Sequence, residues 1–230
     1  MSLGKTSKVR KALKRKGSPE RKKLATDFWS MRAGDIGRGT ASYKLDRSLH
    51  HIPFTSELIS AIKKKASQGK IEVLEKGTGS GNTLAEIKRF LPRGITTTAL
   101  TLTIVALKPE NMPFIDRTIK SIGITKWHEK KYDIIFDAFG EDFHLPKSLV
   151  RHSIEKTISH LKKGGEAFTV FPVSYLQTGE NFTVKEVGDI LKDLKKIKGI
   201  QLQEWSVKRR TYYGTEYLEQ IIHITRLPRN

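Results

Sequence analysis

The sequence contains no cysteine, and this absence removes several classes of chemistry. Without thiols the chain forms no disulfide, holds no metal through thiolates and uses no cysteine nucleophile. It also has no hydrophobic run near the ~20 residues that a membrane-spanning helix needs. Acids are scarce, with 24 Asp and Glu against 43 Lys and Arg among 230 residues. We therefore expect a cytoplasmic protein whose net charge of +19 favours polyanionic partners over membranes.

The positive charge is densest at the amino terminus. Residues 1–23 hold ten Lys or Arg and a single acid, Glu20. They include too few apolar residues to build a core, so we predict a basic, disordered arm. Such an arm suits sequence-independent contact with RNA or DNA phosphates, while a solubility tail, an expression leader or a mitochondrial presequence are the alternatives. We assign 24–53 to an N-terminal extension and 54–230 to one domain with its own core.

Apolar patterning alternates between helix and strand signals along that domain. The run 95–103 is β-branched and alternating, and 132–138 is an apolar run that ends in acid. Alternation of this kind predicts an α/β domain with a mostly parallel sheet covered by helices on both faces. The predicted helices are 54–67, 82–91, 111–121, 146–162 and 183–197, and the other predicted strands are 71–75, 166–172, 200–208 and 217–226.

Residues 71–83 carry the strongest functional signal. An apolar strand ends in the carboxylate Glu75, and a helix begins directly after the loop that follows. Three glycines occupy this loop at two-residue spacing: Gly77, Gly79 and Gly81. Glycines permit a tight turn and close approach of a ligand to the backbone, and the helix turns its free N–H groups toward that ligand. The loop therefore predicts a nucleotide-type cofactor site.

The identity of that cofactor follows from the details of the loop. A dinucleotide-binding loop has a third Gly or Ala where this chain has Asn82. An acid placed before the glycines repels a pyrophosphate but attracts an ammonium group. The pattern acidic-x-Gly-x-Gly-x-Gly after a first strand resembles motif I of the class I S-adenosylmethionine-dependent methyltransferases.

Later segments resemble the same family. Tyr132-Asp-Ile-Ile-Phe-Asp is similar to its fourth strand, and Leu161-Lys-Lys-Gly-Gly is similar to the turn into its fifth strand. The two closing strands fit the antiparallel hairpin that ends the family's sheet. The resemblance covers roughly residues 55–226. It implies the class I methyltransferase fold, a seven-stranded, mostly parallel sheet with a C-terminal antiparallel hairpin.

The resemblance also implies S-adenosylmethionine as cofactor and a set of site residues. The acid and the glycines would hold the methionine end, and Asp137, at the tip of the fourth strand, would face the methyl group and the substrate. The family usually ends its second strand with an acid for the ribose hydroxyls, where this chain has Thr101, whose hydroxyl grips more weakly. The implied cofactor-binding residues are Glu75, Gly77, Thr78, Gly79, Gly81, Asn82, Thr101 and Asp137.

The reacting groups are less clearly marked. The Asp/Asn-Pro-Pro-aromatic motif of amino-directed base methyltransferases is absent after the fourth strand, which continues Asp137-Ala-Phe-Gly. The segment Arg38–Leu45 weakly resembles one in ribose 2′-O-methyltransferases, which use a Lys-Asp-Lys-Glu tetrad. By that resemblance Lys44, Asp137 and Glu216 would stand for three catalytic members, but Thr169 occupies the region of the second lysine. The histidines show no metal-ligand spacing, and we expect no metal.

The favoured function is methylation of an RNA by direct displacement at the sulfonium methyl, with the basic arm and surface binding the nucleic acid. Two other classes stay open. One is a small-molecule or protein methyltransferase whose charge is incidental. The other is a non-catalytic nucleic-acid-binding protein on a degenerate methyltransferase fold, which the missing acid of the second strand favours and the intact glycine loop opposes.

Overall fold

A single seven-stranded sheet organises the chain, in the order β3-β2-β1-β4-β5-β7-β6. The computed structural model describes residues 49, 52–101, 107–120, 129–138, 147–173, 182–210 and 216–228. The strands are β1 (Ile71–Lys76), β2 (Ile95–Thr101), β3 (Arg117–Lys120), β4 (Tyr132–Asp137), β5 (Leu161–Val173), β6 (Ile200–Arg210) and β7 (Glu216–Arg226). The helices are α1 (Thr55–Ala66), α2 (Asn82–Phe90), α3 (Lys147–His160) and α4 (Val184–Leu194), with a 3₁₀ helix at Pro109–Phe114.

The strand directions confirm the fold class predicted from the sequence. Strands β1 to β5 pair in parallel, whereas β7 runs antiparallel between β5 and β6. Parallel strands need long crossovers, and the helices between them supply these crossovers and cover the sheet. The result is a mostly parallel sheet with an antiparallel pair at its C-terminal end.

Two hydrophobic cores lie on opposite faces of the sheet because β1 alternates its buried side chains. Val73 packs in the core with α1 and α2, through residues such as Leu58 and Leu84. Leu74 packs in the other core, with α3 and α4. Leu49 and Ile52, which the sequence analysis assigned to the extension, are buried in the first of these cores.

Local sequence signals fix several helix ends. Helix α4 begins with a capping box, in which the Thr183 side chain accepts from the Glu186 N–H while the Glu186 carboxylate accepts from the Thr183 N–H. Helix α2 begins at Asn82, directly after Gly81, whose φ is 81°. These starts agree with the predicted helices to within a residue.

The predicted helix 111–121 is wrong. The chain instead forms the short 3₁₀ helix Pro109–Phe114 and then β3, which pairs with β2 from Arg117 to Lys120. Pro113 lies inside this helical turn and has no N–H to donate, so a longer α-helix does not form. Pairing with β2 then holds residues 117–120 in an extended conformation.

Strand β5 begins five residues before the predicted strand 166–172. Leu161 already pairs with Tyr132, and the register shifts before Ile134 pairs with Glu166. Gly164, with a φ of 72°, and Gly165 lie at this irregularity. A Cβ on Gly165 would lie 2.9 Å from the Lys162 carbonyl oxygen. The predicted glycine turn is therefore a bulge inside a longer strand.

The arm 1–23 and almost all of the extension 24–53 lie outside the described residues, so the predictions made for them remain predictions. In the described part of the chain, no helix is long and apolar enough to cross a membrane.

Candidate functional site

The candidate site is the edge of the sheet where the parallel strands end. The strand order reverses between β1 and β4, since β2 lies on one side of β1 and β4 on the other. Such a reversal opens a crevice beyond the carboxyl ends of the strands. Glu75 and Lys76 end β1, Thr101 ends β2 and Asp137 ends β4. The predicted residues of these three strands are therefore brought to one edge.

The glycine loop joins β1 to α2 through a compact turn. Gly77 and Thr78 donate their N–H groups to the Leu100 carbonyl at 2.9 and 3.3 Å, which ties the loop to β2. The Thr78 hydroxyl donates to the Glu75 carbonyl at 3.0 Å. Gly77, Gly79 and Gly81 have φ values of 62°, 56° and 81°, a region that L side chains rarely adopt.

Gly79 and Gly81 serve different needs within this turn. A Cβ on Gly81 would lie 2.9 Å from Ile115 Cδ1 and 3.2 Å from Leu107 Cδ2, so a side chain here would displace these two apolar side chains. Among the described residues, a Cβ on Gly79 would meet nothing closer than the Gly77 carbonyl oxygen at 3.9 Å. Within this part of the chain Gly79 therefore borders open space, as a residue that faces a ligand would.

Glu75 is a buried carboxylate with an unsatisfied oxygen. Its residue exposure is 5%, and Oε2 has no hydrogen-bond partner among the described residues. Burial raises the pKa of this carboxyl well above its usual range, and the charge of Asp137 acts in the same direction. A hydrogen bond with the Thr83 side chain on α2 opposes the rise in this pKa. Such a carboxylate gains strongly from an incoming cation.

Lys76 is a site residue that the sequence analysis missed. Its side chain is fully buried on β1, and Nζ donates to Ser153 Oγ at 2.9 Å and to Thr157 Oγ1 at 3.3 Å on α3. The same Nζ lies 3.7 Å from Asp137 Oδ2, a side chain that is 2% exposed. A lysine in a strand otherwise buried on both faces, and Ser and Thr four residues apart on a helix, were the available signals.

Of the remaining predicted residues, the structure describes some fully and others in part or not at all. Thr101 is buried at the end of β2, level with Lys120 of β3. Asn82 begins α2, and its side-chain oxygen accepts a hydrogen bond from Asn111 Nδ2, which also donates to the Ser80 carbonyl at 3.0 Å. Lys44 lies outside the described residues. Glu216 begins β7, but its side chain also lies outside the description.

A second carboxylate on β7 was not predicted. Glu219 is only 2% exposed and pairs in register with Pro172, one residue before the end of β5. It thus lies at the carboxyl edge of β5, on a strand that otherwise carries Ile221 and Ile222 into the two cores. The signal that marks it is an acid three residues into β7, just before the apolar pair Ile221 and Ile222.

Comparison with known proteins gives structural likeness without sequence relatives. No protein-family model matches the sequence, and no curated protein matches it. Solved structures do match. One is the 1,6-didemethyltoxoflavin-N1-methyltransferase of Burkholderia thailandensis, with bound 1,6-didemethyltoxoflavin and S-adenosylhomocysteine. The TM-score is 0.60 at 18% identity, covering 93% of this chain and 92% of the other.

Two further structures show the same architecture. The N-methyltransferase NodS of Bradyrhizobium japonicum, in complex with S-adenosylhomocysteine, has a TM-score of 0.57 at 12% identity, covering 85% of this chain and 97% of that chain. The [4+2]-cyclase SpnF has a TM-score of 0.55 at 13% identity, covering 75% and 81%. The strand order, the glycine loop and these likenesses agree: the chain has the fold of the class I S-adenosylmethionine-dependent methyltransferases.

Proposed function

We propose that the protein is an S-adenosylmethionine-dependent methyltransferase that acts on RNA. The observation that carries the proposed cofactor is the Glu75 carboxylate, buried below the glycine loop with Oε2 lacking a partner among the described residues. The α-ammonium of the cofactor's methionine moiety would supply the missing donor and the missing positive charge. Such a group fits this acid better than a pyrophosphate does.

The other residues of the crevice also suit this cofactor. The open space beside Gly79 lets a ligand approach the backbone of the loop closely. Thr101 offers one hydroxyl that can bind a ribose. When bound, the cofactor supplies a methyl group on a sulfonium, which a substrate nucleophile takes by direct displacement. The protein's contribution is to fix the approach of the two groups and to exclude water. Asp137 and Glu219 are the buried acids at this edge that can orient a substrate.

The choice of RNA is supported by the opposite edge of the sheet, where the parallel strands begin. Exposed lysines and arginines lie next to the starts of successive strands there, before β1, β2 and β6 and within the bulge of β5. Those that form no ion pair with another described residue are Lys63, Lys64, Lys70, Arg93, Lys163 and Lys198. We refer to this set as the basic edge. Such a surface neutralises phosphates without reading sequence.

The basic edge and the crevice lie at opposite ends of the strands. A six-residue strand such as β1 separates them by about 20 Å. A small molecule bound in the crevice does not reach that far, whereas a folded RNA spans such a distance. The basic edge therefore favours a large polyanionic substrate that is anchored away from the reacting atom.

A small-molecule substrate is the second candidate. Its support is the didemethyltoxoflavin-bound neighbour, whose fold this chain shares over most of its length. In that case the basic edge would have no role in catalysis. Reversing its charges would leave turnover unchanged.

The first test is calorimetric titration of S-adenosylhomocysteine into the full chain, with Gly79→Arg as the control that fills the open space. Binding in the micromolar range that is lost in the control supports the proposed cofactor site. Absence of binding by the folded protein, together with salt-sensitive RNA binding, would point to a nucleic-acid-binding protein without methyltransferase activity.

The second test identifies the acceptor. Labelled S-adenosylmethionine is incubated with the protein and with separate RNA, protein and small-molecule fractions of a cell extract. We expect label in RNA, removed by ribonuclease treatment. Label only in the small-molecule fraction would overturn the choice of RNA while leaving the methyltransferase activity in place.

A further inference from the structure

A lysine takes part in the charge balance below the glycine loop. Lys76 is adjacent to Glu75 in β1, and alternation along the strand places its side chain on the face covered by α3. There its Nζ makes hydrogen bonds with two α3 hydroxyls and an ion pair with Asp137. A buried ammonium is costly unless charge and hydrogen bonds compensate it, and these contacts provide both.

The two carboxylates of the crevice therefore differ. Asp137 has a cation 3.7 Å from its Oδ2, whereas Oε2 of Glu75 has no hydrogen-bond partner among the described residues. With both acids ionised and the lysine charged, the three groups carry a formal charge of −1. Without the lysine, the same site would carry −2.

We propose that Lys76 is a specificity-determining residue, which limits the preference of the crevice for S-adenosylmethionine over S-adenosylhomocysteine. This inference rests on the proposed cofactor. The two ligands differ by the methyl group and by one positive charge, which the sulfonium carries and the thioether lacks. A crevice of charge −2 favours the sulfonium more than a crevice of charge −1 does.

The benefit of the lysine follows from how charge changes during transfer. The positive charge on sulfur disappears as the methyl group leaves, so interactions that stabilise the sulfonium stabilise the ground state more than the transition state. Binding energy of that kind does not raise the rate of the chemical step. Lys76 offsets the negative charge of Asp137, so this carboxylate attracts the sulfonium less. Glu75 remains available to bind the ammonium.

The test is a double-mutant cycle read by binding alone, without a methyl acceptor. Dissociation constants for both ligands are measured for the wild type, Lys76→Met, Asp137→Asn and the double variant. We expect Lys76→Met to raise the ratio of the S-adenosylhomocysteine constant to the S-adenosylmethionine constant, on the order of five- to tenfold. Asp137→Asn lowers this ratio. The double variant, which removes both charges, returns it to the wild-type value.

A matched control and the contrary outcomes complete the test. Lys192→Met removes one exposed positive charge on α4 and is expected to leave the ratio unchanged. An unchanged ratio in folded Lys76→Met overturns the inference. If that variant does not fold, Asp137→Asn decides, since its ratio must fall. Failure of the wild type to bind either ligand contradicts the proposed function instead.

Discussion

The imidazole of His223 stacks on Phe168, with ring centroids 4.3 Å apart, while its Nε2 lies 2.8 Å from Glu166 Oε2. Lys65 Nζ lies 3.2 Å from the other carboxylate oxygen. The hydrogen bond with His223, assisted by Lys65, holds the pKa of Glu166 below its usual 4.5. A carboxyl whose folded pKa is depressed stabilises the fold above its unfolded pKa, and this contribution disappears as the pH falls through the folded pKa.

We predict that Glu166→Gln lowers the free energy of unfolding by about 1.5–3 kcal/mol at pH 7. Urea denaturation of both proteins from pH 7 to pH 3 measures the difference, which should shrink below about pH 4.5. The control is Glu204→Gln, because Glu204 forms a 2.8 Å ion pair with Lys195 at an exposed position. We expect less than about 1 kcal/mol there. Equal losses in the two variants would contradict the prediction.

Glu75 predicts a pH-dependent cofactor affinity. Burial raises its pKa, with Asp137 on β4 and Glu86 on α2 acting in the same direction and Thr83 opposing them. Below that raised pKa, binding of an ammonium requires loss of the proton, so affinity for S-adenosylhomocysteine falls by up to about tenfold per pH unit. Titrations in buffers of different ionisation enthalpy would detect the released proton.

The variant Glu75→Gln gives a second readout of the same buried charge. Its affinity should be weaker and no longer coupled to release of this proton. The sign for stability is opposite to that of Glu166, because a raised carboxyl pKa makes the ligand-free fold less stable as the pH rises toward it. We expect Glu75→Gln to stabilise the ligand-free protein by about 1–3 kcal/mol at pH 8. A less stable variant would show that the ionised acid supports the fold.

The glycines of the loop should separate stability from binding. Gly81→Ala brings Cβ to 2.9 Å from Ile115 Cδ1 at a φ of 81°, and we expect a loss of about 2 kcal/mol or more in unfolding free energy. Gly79→Ala and Gly164→Ala both have a positive φ and more room, so each should cost about 1 kcal/mol. Of these two variants, Gly79→Ala should also weaken S-adenosylhomocysteine binding, whereas Gly164→Ala should not.

Thermal melts and calorimetry on the three variants provide the comparison. Gly164 is the matched control, since its added Cβ meets no atom of the described residues within 4 Å and it lies at the amino end of the sheet. A Gly164→Ala variant with altered ligand affinity would show that the effect is not local to the loop.

Charge reversal tests the basic edge. We expect Lys63→Glu with Lys64→Glu to weaken RNA binding and to reduce the slope of log affinity against log salt by about 2. Affinity for S-adenosylhomocysteine should stay unchanged. The control reverses two exposed lysines near the carboxyl edge, Lys120 and Lys185. If the control variant loses more RNA affinity than the test variant, the RNA lies over the crevice and not on the basic edge.

The fold could be predicted from sequence wherever burial imposes a pattern. Strand β1 was predicted as 71–75 and β4 as 132–138, and the structure gives Ile71–Lys76 and Tyr132–Asp137. Both lie in the middle of the sheet, so both of their faces are apolar. Strand β3 was not predicted at its observed position, where a helix was expected, because it is short, lies at the sheet edge and has mostly exposed side chains. Its form depends on pairing with β2.

Site residues could be predicted from sequence only where they are close neighbours in the chain. Glu75 and the glycines are neighbours in the chain, so their spacing carries the signal. The contact of Lys76 with Ser153 and Thr157 joins residues about 80 positions apart, and no local pattern reports it. A charged residue in a buried strand requires a partner, but which residues serve is set by how α3 packs on the sheet.

The position of β7 between β5 and β6 determines when the sheet can be completed during synthesis. Strand β6 leaves the ribosome first, yet among the described residues its strand partner is β7, which follows it in the chain. Until then β5 has an open edge, and β6 has no place to dock. The sheet is therefore completed late, when β7 pairs with β5, a strand synthesised much earlier. Pairings between segments so far apart in the chain form slowly, and the unpaired strands are prone to aggregate until then. We expect nascent chains that end before residue 216, and so lack β7, to depend on chaperones.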